Sequence, residues 1–272
     1  MKNKQKLFKR VKLFIVCYCL VGTALFYLQD KLLFRPTALP PNSTFHFTQP
    51  FTEANISLDA ATKFNIVQFT PGKPYDSARG VVLYFHGNKE NVNHYQQYAS
   101  AFTRNNYEVW MPDYPGYGKS TGTFSEAVLY EEALQVYKLA RTKYRPDQIV
   151  VYGKSLGSGI AAQLASIRDC RELVLETPYY SFTSLVRLVA FIYPVSLLSH
   201  YKIPTNQYLE KVTAPVTIFH GTRDWTIPYF HAKRLKASLK PTDEFITIDG
   251  GGHNNLFSYD RVQKKIDTLL SR

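Results

Sequence analysis

Gln148-Ile-Val-Val-Tyr-Gly153-Lys-Ser155-Leu-Gly157-Ser-Gly-Ile-Ala-Ala-Gln-Leu-Ala165 is the stretch on which the fold turns. Gln148 to Tyr152 is a short β-branched, apolar run that predicts a buried strand. Ser158 to Ile167, rich in Ala, Leu and Ile, predicts a helix. Between them, Gly-Lys-Ser-Leu-Gly predicts a tight strand-to-helix turn. Glycine is required at 153 and 157 because a side chain at either would crowd the neighbouring strand or helix. The Ser155 hydroxyl then projects from the turn, free to act on a ligand.

A chain of 272 residues accommodates one α/β domain with an N-terminal extension. The net charge of +12 is unevenly distributed. Lys2, Lys4, Lys6, Lys9, Arg10 and Lys12 stand in the first twelve residues without an acid, leaving 27 basic against 21 acidic residues elsewhere. No nucleic-acid motif accompanies this mild surplus, so nucleic-acid binding is not expected. Of three cysteines, Cys17 and Cys19 lie in an apolar N-terminal run and Cys170 stands alone, which excludes an intradomain disulfide and a cysteine-based metal site.

Residues 13–28 carry no charge. That run is short for a bilayer, but Lys12 and Tyr27 suit its two interfaces. Gly22-Thr-Ala24 offers a signal-peptidase site, the main rival reading. The apolar run continues past it through Leu28, which favours an uncleaved anchor. The basic flank places the N-terminus in the cytoplasm and the remainder on the periplasmic, luminal or extracellular side. The expected organisation is a basic tail over 1–12, an anchor and juxtamembrane segment over 13–34, and a folded domain over 35–272. Strands are predicted at Phe45–Thr48, Asn55–Leu58 and Phe64–Phe69, then at Val81–Phe85, Tyr107–Met111, Glu172–Leu175, Pro215–Phe219 and Glu244–Ile248. Helical stretches alternate with them. Such alternation implies a mostly parallel sheet with helices on both faces and chemistry at the carboxyl ends of its strands.

A serine needs a base beside it and an acid to orient that base. Asp224 follows the Pro215–Phe219 strand in His220-Gly-Thr-Arg-Asp224, and His253 follows the last strand in a loop opened by three glycines. The order Ser155, Asp224, His253 is the order expected when the turn comes first and the base last. An oxyanion needs donors as well. The N–H of Leu156, at the start of the helix, is one, and that of Asn88, in His86-Gly-Asn88 after the Val81–Phe85 strand, is the other. His86 is expected to hold its loop. Tyr114, Tyr117, Tyr179 and Tyr180 fall near the predicted mouth and are candidates for a substrate pocket. Lys154 is expected to be solvated, and Glu176 to be a supporting group or, in a peptidase, the holder of a substrate ammonium.

These residues together resemble the α/β-hydrolase superfamily, in particular its compact serine aminopeptidase-like or lysophospholipase-like group. The resemblance covers Pro71 to Leu270. It rests on His86-Gly-Asn88, Asp113-Tyr-Pro-Gly-Tyr-Gly-Lys-Ser120, the turn at Gly153–Gly157, His220-Gly-Thr-Arg-Asp224 and Gly252-His253-Asn254, in that order. It implies ester, thioester or amide hydrolysis through an acyl-enzyme, without metal or organic cofactor. A lipid-like acyl ester or thioester is the leading substrate class, given the membrane-directed run at 13–28. An aminopeptidase and a non-catalytic binding protein of the same fold are the alternatives. Residues 177–211 form a longer and more apolar connection than the strand–helix rhythm requires, and read as a lid, a membrane-contacting surface or core.

Overall fold

The computed structural model describes residues 2–72 and 77–271. Ten strands are present in chain order: β1 Arg35–Pro36, β2 Phe51–Ser57, β3 Lys63–Phe69, β4 Gly80–Phe85, β5 Lys89–Glu90, β6 Tyr107–Asp113, β7 Ile149–Lys154, β8 Glu172–Glu176, β9 Val216–Gly221 and β10 Glu244–Ile248. Eight form one sheet, in the order β10-β9-β8-β7-β4-β6-β3-β2. From β10 to β6 every pairing is parallel, and β3 and β2 add antiparallel at one edge. The α/β-hydrolase architecture expected from the alternation is therefore present, with an antiparallel edge.

Strand periodicity divides the core in two. Leu83 and Phe85 of β4 pack with Val151, Leu173, Leu175 and Ile218 under the helices Glu126–Arg141 and Leu156–Ala165. Val82 and Tyr84 point the other way, to Val150, Tyr152, Val174 and the C-terminal helix Asp260–Ser271. Helices on both faces leave only the strand ends open to ligands.

Two local expectations are corrected, and the connection 177–211 takes a defined form. No strand covers Phe45–Thr48; these residues are irregular, with Phe45 buried under the Lys119 ammonium and Phe47 against the rings of Phe51 and Phe69. The edge strand begins only at Phe51, after Pro50, and the predicted Asn55–Leu58 strand is its second half. The N-terminal helix runs without interruption from Lys2 to Leu33, because no helix breaker occurs before Pro36. No residue of 177–211 lines the cleft at Ser155. They form the short helices Phe182–Val186, Val195–Leu198 and Thr205–Leu209, and the part around Tyr193 packs along the N-terminal helix.

Candidate active site

The strand–turn–helix at Ser155 is built by close backbone approaches. A Cβ on Gly157 would lie 2.0 Å from the carbonyl oxygen of Phe85, and one on Gly153 would lie 2.4 Å from that of Gly157. Ser155 itself has φ 52°, a left-handed conformation that costs a non-glycine residue energy, so its surroundings must hold it there. They do so through the Ser155 N–H, which donates to the Glu176 carbonyl at 2.9 Å, and through the Ser158 N–H and hydroxyl, both of which donate to the Ser155 carbonyl.

The structure brings Ser155, His253 and Asp224 together from three strand ends. His253 Nε2 lies 3.0 Å from Ser155 Oγ, and His253 Nδ1 lies 2.8 Å from Asp224 Oδ2. The other carboxylate oxygen of Asp224 accepts the N–H groups of Thr226 and Ile227, each at 2.8 Å. Burial alone would raise the Asp224 carboxyl; the hydrogen bond and charge of His253, with the Ile227 amide, outweigh it and hold the carboxyl below its ordinary value. Asp224 is thus an anion, and His253 Nδ1–H is its donor. Nε2 is left as an acceptor aimed at the serine hydroxyl. His220 packs behind Asp224, its Nε2–H donating to the Ile227 carbonyl at 2.9 Å. Burial holds it neutral, lowering its pKa despite the neighbouring carboxylate.

Asn88 lines the same cleft as Ser155, together with Gly87, Glu90, Tyr95, Lys154, Thr226 and His253. The cleft holds about 170 Å³. The Asn88 side chain points elsewhere and donates to the carbonyl of Leu33 at 2.7 Å, while its own carbonyl accepts the Arg35 N–H at 3.1 Å. Beside it β1 and β5 pair in parallel, so the end of the N-terminal helix is joined to this loop. His86 is fully buried between the Gly87 carbonyl and Asp113, which fits its expected structural part. Asp113 also accepts the Val92 N–H at 2.9 Å. Its role was not read from the sequence, although the glycine at 118 marks it: a Cβ there would fall 1.9 Å from Asp113 Oδ2.

The tyrosines assigned to a substrate pocket are not at the mouth. Tyr114, Tyr117 and Tyr179 are buried behind the site, and their hydroxyls donate to the carbonyls of His86, Asn88 and Leu156 at 2.7, 2.9 and 3.2 Å. They brace the backbone that carries the expected oxyanion donors. Tyr180 is half-buried beneath the Arg234 guanidinium, 3.8 Å from its ring. Its N–H donates to His231 Nδ1, so His231 Nε2–H is left to donate to Ser184 Oγ at 2.9 Å.

That tautomer requires a neutral ring, and burial, aided by Arg234 and His220, pushes the His231 pKa down to about 4. The unfolded chain takes this proton near pH 6.5, so the stability the neutral ring contributes is present above that pH and is lost as pH falls toward 4. Folding stability is expected to drop by about 1–2 kcal/mol between pH 7 and pH 5. Urea denaturation at the two pH values measures this, and His231→Gln should flatten the difference; an unchanged slope in the variant refutes the assignment.

Lys154 is not solvated. Its ammonium is buried in an ion pair with Glu176, whose second oxygen accepts the Tyr152 hydroxyl at 2.8 Å. Lys154 Nζ also donates to the carbonyl of His253 at 3.2 Å. Glu176 is therefore fully engaged and does not face the cleft, contrary to a role in holding a substrate ammonium. Cys170 is a bystander; burial raises its thiol to about 12, which keeps it protonated and inert. Among the described residues no group of three or more His, Cys, Asp or Glu is arranged to hold a metal ion.

Residues 76–207 match the family model described as serine aminopeptidase, S33. Alpha/beta hydrolase domain-containing protein 17C of Xenopus tropicalis is 30% identical over 208 residues, which cover 75% of this chain and 64% of the frog protein. The human protein of that name is 29% identical over 198 residues, 72% of this chain and 59% of its own. The chain thus spans less than two thirds of the length of these curated relatives. Among solved structures, the esterase Pf2001 of Pyrococcus furiosus superposes with a TM-score of 0.67 at 17% identity, covering 88% of this chain and 96% of that one. Est1E of Butyrivibrio proteoclasticus gives 0.60 at 15% identity, over 80% and 97%. At these identities the likeness is one of fold.

Proposed function

Because this chain is a member of the α/β-hydrolase superfamily, we propose that it is a serine hydrolase of carboxylic ester or thioester bonds, held at a membrane by its N-terminal helix. The observation that carries this reading is the single imidazole that reaches both Ser155 Oγ and Asp224 Oδ2. Ser155 Oγ attacks the acyl carbon while His253 Nε2 takes its proton, and Asp224 stabilises the imidazolium. The N–H groups of Leu156 and Asn88 receive the oxyanion. The imidazolium then returns the proton to the leaving alcohol or thiol. Water, deprotonated by the same histidine, frees the acyl group and regenerates the serine.

The helix Lys2–Leu33 is the one helix among the described residues that is long and apolar enough to cross a bilayer, and no residue of its apolar window is buried in the domain. With the lysines and Arg10 that precede it, this supports an anchor whose N-terminus is cytoplasmic, with the hydrolase domain across the membrane. The engagement of Glu176 by Lys154 leaves the aminopeptidase alternative without the acid expected for it. Ester or thioester substrates with a lipid-like acyl group remain the leading class.

A fluorophosphonate probe tests the proposal without knowledge of the substrate, since it reacts only with a serine already activated by its base. The expected result is one covalent adduct, located on the Ser155 peptide by mass spectrometry. Folded protein that forms no such adduct, or forms it on another serine, overturns the mechanism. Turnover of aminoacyl amides with none of acyl esters would establish the peptidase alternative instead.

A further inference from the structure

Between Arg187 and His200 the chain reads Leu188-Val-Ala-Phe-Ile-Tyr-Pro-Val-Ser-Leu-Leu-Ser199, without a charge. Its large apolar side chains point outward: Val189 is 81% exposed, Phe191 75% and Leu197 80%, with Leu188 and Ile192 also exposed. In water such a patch is unfavourable.

What this segment touches sets its depth. The Tyr193 ring stacks on Tyr18 at 4.6 Å between centroids and packs on Gly22, where a Cβ would come within 3.1 Å of it. The Tyr18 hydroxyl donates to the Ile192 carbonyl at 2.9 Å, and the Tyr193 hydroxyl donates to the Tyr18 carbonyl at 3.2 Å. Tyr18 and Gly22 stand in the middle of the charge-free run 13–28, about 17–22 Å along the helix from Leu33. A bilayer that takes in this run takes in whatever is packed against it.

Much of the segment's backbone is bonded locally, which lowers the cost of placing it in hydrocarbon. The amides of Tyr193, Val195, Leu197, Leu198 and Ser199 donate within the segment, that of Ala190 donates back to the Val186 carbonyl, and Pro194 has none to satisfy. At its base, Gln29 is buried and closes the join, donating to the Leu198 carbonyl and accepting the His200 N–H. Exposed Arg187 flanks that base, where it can meet anionic headgroups, and on the other side the Lys202 ammonium donates to the Ser196 carbonyl. An apolar cavity of about 250 Å³ lies between the segment and the helix, lined in part by Leu25, Leu32, Val186 and Val189.

We propose that residues 188–198 form a second membrane-inserted element, a prong that enters the leaflet beside the anchor helix with lipid acyl chains as its partner. The inference rests on the anchor reading above and adds to it that the domain is partly sunk in one leaflet.

The full chain in phosphatidylcholine vesicles, with Cys17, Cys19 and Cys170 replaced by serine, provides the test. An environment-sensitive label is placed singly at Phe191→Cys or Leu197→Cys in the prong, at Leu20→Cys in the helix and at Leu58→Cys in the exposed turn just after the edge strand β2. Melting temperature verifies the fold, and the two prong positions check each other. The expected result is quenching of both prong labels by acyl-chain-brominated lipid, as at 20, with loss of the aqueous iodide quenching seen at 58. Prong labels quenched by iodide while the label at 20 remains lipid-quenched overturn the prong and leave the anchor intact. Prong labels shielded from both quenchers mean that protein covers the patch, which also overturns the proposal. Iodide quenching at 20 as well overturns the anchor itself.

Discussion

With Ser155 replaced by alanine, turnover of an activated acyl ester is expected to fall by about ten-thousand-fold or more, and Asp224→Asn is expected to fall as far by a different route. The alanine variant lacks the attacking oxygen and forms no acyl-enzyme. In the asparagine variant the side-chain oxygen still accepts the Thr226 and Ile227 amides, so the loop keeps its shape. Its amide N–H₂ then faces His253 Nδ1, which must become the acceptor. The ring proton moves to Nε2, and the hydrogen bond to Ser155 Oγ is reversed. The serine loses its base although nothing has moved. Because the three residues act as one unit, the double variant should be no slower than Ser155→Ala alone. Steady-state rates on one activated ester decide this, and near-normal activity in either single variant rules out the proposed roles.

Breaking the buried pair of Lys154 and Glu176 is expected to have the largest effect on stability. Both side chains are almost wholly shielded from solvent. Removing one partner leaves the other as an uncompensated charge, a loss of about 3–5 kcal/mol. Lys154→Met should therefore lower the unfolding midpoint sharply. Lys154→Met combined with Glu176→Gln should recover most of the loss, since glutamine is neutral and still accepts from the Tyr152 hydroxyl. Lys154 also holds the His253 carbonyl, so the double variant should regain stability more fully than kcat. A double-mutant cycle read by denaturation and by initial rate separates the two effects. Additive stability losses would show that the pair is not coupled.

The sheet, the turn at Ser155 and the meeting of Ser155, Asp224 and His253 were legible because each depends on a local signal: an apolar run, two glycines with no room for a side chain, a polar residue just past a strand. Features made by strands remote in sequence were not. Lys154 reads as solvated in a list of residues because a lysine normally is; only the register of β7 with β8, which sets Lys154 opposite Glu176, makes a buried pair of them. The tyrosines were misplaced for a related reason. Their proximity to the site was readable from chain position, but whether a ring points into a cleft or behind it depends on which carbonyl its hydroxyl reaches. The extension of the N-terminal helix to Leu33 was hidden by Gln29, Asp30 and Lys31, a polar group that reads as a connector. Gln29 and Asp30 are contacts to the domain, Gln29 to Leu198 and His200, Asp30 to the Tyr201 hydroxyl at 2.9 Å.

The link between Leu33 and Asn88 makes the helix a lever with its short arm in the catalytic cleft. In the proposed anchored state, a pull on the helix is shared between the contacts of Gln29 and Asp30 and the Leu33–Asn88 hydrogen bond, the last of which ends on the residue proposed to receive the oxyanion. The same linkage bears on practice. A version cut after residue 34 would keep the pairing of β1 with β5 but lose the buried Phe34 ring and the Leu33 carbonyl that holds the Asn88 side chain, so its rates are expected to understate those of the intact chain.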